Sequence, residues 1–83
     1  MLADADRVIV TAEDPPSVSV HVMSAHHRDF PEIHGEGWSA AAAAHRLGEL
    51  LHMSLDNAPS RWRREALEKA IEDVDAFTER GGS

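Results

Sequence analysis

The segment Gly35-Glu36-Gly37-Trp38-Ser39 followed by five alanines, Ala40 to Ala44, limits this chain's possible folds more than any other stretch. Consecutive alanines are the strongest local helix signal, whereas glycines are poor helix residues, so an element boundary falls at Trp38 and Ser39. Ser39 is placed to cap the helix, which the spacing of Ala40, Ala44, Leu47, Leu51 and Leu55 carries over 39–57. Alanines in its first turns let its backbone approach a sheet closely, while the leucines fill a wider gap further on. Trp38 is expected to close the end of that layer.

Upstream, the pattern switches to period two. Val8, Val10 and Ala12 alternate with Ile9, Thr11 and Glu13, which predicts a strand over 7–13. Pro15-Pro16-Ser17 interrupts it, and a second strand over 17–25 alternates Val18, Val20 and Val22 with His21 and Met23. His26 to Pro31 reads as a polar connection to a third strand over 32–38, with Ile33 inward and Glu32, His34 and Glu36 outward. The glycines at its end suit a bulge or a tight exit. Beyond helix one, Pro59 breaks the chain and Ser60 caps a second helix over 60–79, whose expected apolar stripe is Trp62, Ala66, Ala70, Ile71, Val74 and Phe77. The predicted architecture is α+β: a three-stranded antiparallel sheet in the order β-β-β-α-α, with both helices on one face.

Eighty-three residues make a single domain, 1–83, small enough to gain from a partner. Fifteen acidic and eight basic residues give a net charge of −7, which argues against direct nucleic-acid binding and for a basic partner. The absence of cysteine removes disulfide and thiolate chemistry. Neither a leader-like N-terminus nor an apolar run of about 18 residues is present, so no membrane association is expected and a bacterial cytoplasmic protein is the default reading.

Residues 7–57 resemble the HicB antitoxin family, whose small domain has a hairpin, a segment like D-L-P-G-C and then G-D-T-x-E-E-A entering a helix. The carried positions are Phe30-Pro31-Glu32 and Gly35-Glu36-Gly37-Trp38-Ser39. The resemblance implies a non-enzymatic module, similar in fold to a double-stranded-RNA-binding domain, that neutralises a small basic ribonuclease toxin. Family members often add a DNA-binding segment, for which the second helix here is too short. The alternative reading is a small homo-oligomeric protein with a structural, ligand-binding or metal-binding role.

Six histidines raise the question of a metal. His26, His27 and His34 could converge, and His45, Glu49, His52 and Asp56 share one helix face, yet neither set has a recognised ligand spacing, so no cofactor is expected. No nucleophile pairs visibly with a histidine, and Glu32 and Glu36 suit a solvated edge better than acid–base work, so no catalytic residue is assigned. The expected partner-binding residues are Ile9, Thr11, His21, Met23 and His34, on the sheet face that the helices leave bare.

Helix two is charged in the sense opposite to its dipole, with Arg61, Arg63 and Arg64 first and Glu72, Asp73, Asp75 and Glu79 last. Pairs within the helix, Arg61 with Glu65, Arg64 with Glu68 and Lys69 with Asp73, would recover part of the cost. The functional reading is a homodimer of antiparallel helices, with Arg61 and Arg64 setting direction and Trp62 and Phe77 anchoring the seam.

Overall fold

The computed structural model describes residues 5–13 and 22–80. A single 3₁₀ turn, Ala5–Arg7, leads into β1 (Val8–Glu13), followed by β2 (Val22–His27), β3 (Phe30–Gly37), α1 (Ala40–Asp56) and α2 (Arg61–Glu79). The strands form one antiparallel sheet in the order β1-β2-β3, and the fold is α+β as expected. The Pro15-Pro16 turn, Val18, Val20 and His21 lie outside the described residues.

Both helix starts are built as the sequence indicates. Ser39 Oγ accepts the Ala42 amide at 3.1 Å and Ser60 Oγ the Arg63 amide at 3.2 Å, each cap residue holding an extended backbone. Ala43, Ala44, Leu47 and Leu51 form the buried stripe of α1, flanked by the partly buried Ala40 and Leu55. They lie on β3 and β2, where the glycines have a larger role than ending a strand. A Cβ at Gly35 would come within 2.5 Å of the Ala43 carbonyl oxygen, and one at Gly37 within 2.7 Å of the Ala42 Cβ. Glycines in the strand and alanines in the helix are therefore one device, which brings two backbones close enough to exclude larger side chains.

That close approach also sets the frame of β2. The register pairs Val10 with Ala25 and Ala25 with Gly35, so Ala25, fully buried, lies beneath α1. By alternation Met23 and His27 share its face, while Val22, Ser24 and His26 point away. The valine pattern predicted the reverse. The middle strand needs a small inward residue at the point of closest approach, and that requirement outweighs the preference for burying Val22 over Met23. Met23 is accordingly packed against the core.

The expected polar connection shrinks to Arg28-Asp29, because both His26 and His27 belong to β2. His27 pairs with Phe30 and His26 with His34, so Pro31, Glu32 and Ile33 are accommodated in β3 with no counterpart in β2. Pro31 cannot donate to the ladder and sits on an edge strand, where such an irregularity is tolerated. Ile33 packs inward as expected.

Helix α2 packs chiefly on α1 and on the 3₁₀ turn, reaching the sheet at β1. Its buried residues are Leu67, Ala70, Ile71, Asp73, Val74 and Phe77. The stripe is as expected from Ala70 onward, but at its N-terminal end Leu67 is inside and Ala66 is exposed. Trp62 is 85% exposed and Trp38 72%, so neither tryptophan closes a layer.

Candidate functional site

With both helices on one side, the other face of the sheet presents two cross-strand rows. Ile9, His26 and His34 form one; Thr11, Ser24 and Glu36 form the other, with Ser24 buried at its centre. Ile9 is 38% exposed, and the His26 and His34 rings lie 5.3 Å apart at 44° to each other. Ile9, Thr11 and His34 thus stand together as the sequence indicates, joined by His26, which had been read as part of a connection. Met23 is on the opposite side, and His21 lies outside the described residues. At the margin of this face Glu32 is paired with Arg63 at 3.2 Å. A hydrogen bond from its own backbone amide, then the Arg63 guanidinium, hold the Glu32 carboxyl below its ordinary pKa of 4.5. Arg63 also lies 4.5 Å over the Phe30 ring, so it joins α2 to β3 within the chain.

A second polar cluster is internal. His27 Nε2 is 2.7 Å from Asp73 Oδ2, and Arg7 Nη1 approaches the same oxygen at 3.6 Å. His27 and Asp73 are 1% and 2% exposed. The Asp29 amide donates to His27 Nδ1 at 3.0 Å; an amide can only donate, so Nδ1 is bare and the proton resides on Nε2, which donates to Asp73. This wiring differs from that of a catalytic histidine, where the carboxylate orients one nitrogen and the other is open to a substrate. Here both nitrogens are engaged within the protein. The pair ties the β2–β3 turn to α2, and the pairing of Asp73 with Lys69 expected from the helix does not form. One sequence signal pointed to Asp73: it lies within the stripe of Ala70, Ile71, Val74 and Phe77, where a carboxylate needs an internal partner.

The His26, His27 and His34 trio is split by the sheet, since His27 faces the helices and the other two face away. Among the described residues no three His, Asp or Glu side chains converge in a way that could hold a metal ion. His45, Glu49 and His52 line a shallow cleft of about 200 Å³ between α1 and α2.

A cleft of about 680 Å³ runs along α2 between Trp62, Glu65, Ala66 and Lys69 on one side and Arg7 and Arg28 on the other. Of the residues assigned to a dimer seam, Arg61, Trp62 and Arg64 are exposed, whereas Phe77 is buried in the chain's own core. Among the described residues neither Arg61 nor Arg64 makes an ion pair within α2; the helix and its C-cap Arg80 pair instead with other elements, Arg63 with Glu32, Asp73 with Arg7 and His27, and Arg80 with Asp6.

Neither a family model, nor a curated protein, nor a solved structure matches the chain. Among the described residues no helix is long and apolar enough to cross a membrane.

Proposed function

We propose that this chain is a non-enzymatic protein-binding module of the antitoxin kind, acting in the bacterial cytoplasm and holding a small basic protein against the bare face of its sheet. The observation that carries the reading is the row of Ile9, His26 and His34, an apolar side chain beside two imidazoles on a face that neither described helix covers. The net charge of −7 supports a basic partner, because the summed field steers such a molecule toward the surface and raises its on-rate. The two engaged nitrogens of His27 favour a binding role over a catalytic one. Thr11, at the β1 end of the second row, supplies a hydroxyl to the same surface.

Co-purification with a small basic protein encoded beside this chain tests the reading. Wild type should retain that protein through a salt wash, and the double variant Ile9→Lys, His34→Lys should lose it while keeping its circular dichroism spectrum. Equal retention by wild type and variant overturns the proposal, as does the absence of any such neighbouring gene.

A further inference from the structure

We propose that the cleft along α2 is a self-association site, in which two copies pair their α2 helices antiparallel and each places Trp62 in the other's cleft. The surface is separate from the sheet face assigned to the basic partner, so either proposal can fail alone.

Three observations converge on a second copy as the occupant. First, Trp62 projects from the first turn of α2, 85% exposed, at the end of a cleft that has Ala66 and the Lys69 stem along its wall. A tryptophan carries roughly 150–250 Å² of burial area, and leaving it in water at the mouth of a cleft forgoes most of that contribution. Second, charge is segregated along the exposed side of α2 in a self-complementary way. Arg61 and Arg64 occupy the first turn, with no acidic residue there to oppose them, while Glu68, Glu72, Asp75 and Glu79 are exposed further along. Among the described residues Arg61 and Arg64 have no ion-pair partner in their own chain. An antiparallel second copy brings its glutamates to those arginines and to the positive end of the helix, and symmetry makes the exchange twice. Third, the facing wall carries Arg28, which within the chain reaches Asp29 at 3.9 Å, opposite a helix wall bearing Glu65 and Glu68. In the pair, Arg28 of each copy faces the other's glutamates. A nucleic-acid strand suits this cleft poorly, because its carboxylates would repel phosphate.

Sedimentation equilibrium and single-tryptophan fluorescence test the proposal. Wild type should sediment as a dimer at low salt. In a Trp38→Phe variant the sole emission comes from Trp62, and it should shift to the blue and lose iodide quenching as concentration rises. Trp62→Ala should weaken the dimer by at least about 10-fold with an unchanged circular dichroism spectrum, since its side chain is outside the core. The reversal Arg61→Glu, Arg64→Glu should weaken it by about 10-fold at low salt and less at high salt. Adding Glu68→Arg and Glu72→Arg to that reversal should restore association, because each copy then carries both swapped ends. A monomeric mass at every concentration overturns the proposal. So does a dimer indifferent to Trp62→Ala, or one that Ile9→Lys abolishes while Trp62→Ala leaves it intact, which would place the contact on the sheet face.

Discussion

The two helices start alike and are held differently. Each begins at a serine cap with almost the same backbone angles, φ −147° and ψ 166° at Ser39, φ −146° and ψ 162° at Ser60. After that α1 settles on a floor of Gly35, Gly37 and Ala25, a close-packed contact whose position is dictated by how closely two backbones can approach. Helix α2 instead packs on α1 and is tied by Asp73 to His27, a directional contact whose position is dictated by a hydrogen bond. Shape places the first helix and polarity the second. A shape contact fails when volume is added, and a polar contact fails when a partner is removed, so the two helices should respond to different kinds of substitution.

The largest expected effect is at the shape contact. Gly35→Val places a side chain against the Ala43 carbonyl and the backbone of Leu47, neither of which can rotate away, so α1 must leave the sheet. Loss of more than about 3 kcal/mol is expected, which in a domain this small means no cooperative transition in urea. A normal urea midpoint for this variant would show that α1 is not seated by its glycine floor.

Next comes the polar contact. Asp73→Ala leaves the His27 Nε2–H buried without its acceptor and should cost about 3 kcal/mol. The loss should be local at first: in hydrogen exchange, amides of α2 and of the Arg28-Asp29 turn should lose protection before those at the start of α1. Uniform loss of protection over both helices would mean that they form one cooperative unit and are not held independently. Asp73→Asn, which retains an acceptor oxygen, should lose less than Asp73→Ala.

The smallest effect concerns the exposed pair at the rim. Because the carboxyl of Glu32 is held below its ordinary pKa, its contribution is present above about pH 4.5 and disappears as pH falls through the depressed value. Wild type should therefore be slightly more stable than Glu32→Gln at pH 6, and the two should converge at pH 3. The difference should also shrink in salt, as both partners are largely in water. A gap that persists at pH 3 would assign the effect to something other than ionisation.

The sequence made the first helix legible and the second only in part, for related reasons. Alanines next to glycines carry an unambiguous steric message, and the caps, the α1 stripe and the β-β-β-α-α order could all be read from local spacing. In α2 the same spacing rules suggested Trp62 and Ala66 for burial, because apolar character was the only available criterion. Leu67 is inside instead, with Ile71 and Val74, while Ala66 lines the open cleft along the helix. The frame of β2 was hidden too. Three valines outweighed Met23, Ala25 and His27 on any hydrophobicity scale, and only the distance between α1 and the sheet reveals that small side chains are needed there. Of the sheet face opposite the helices, Ile9, Thr11 and His34 were legible from alternation, which is reliable within one strand. His26 was not, because its place depends on a two-residue turn whose length a pair of histidines before Arg28-Asp29 did not disclose.

The hydrogen bond between His27 and Asp73 joins positions 46 apart in the chain, whereas the turn at Arg28-Asp29 and the step from β3 into α1 join neighbours. Closing a long loop costs entropy before any contact compensates it, so the order of assembly follows from the wiring. The β2–β3 hairpin and α1 can form from adjacent segments, and their turn must exist before the imidazole is oriented to receive a carboxylate. The tie from α2 to the sheet is then expected to close late, so that Asp73→Ala should speed unfolding more than it slows folding in stopped-flow kinetics.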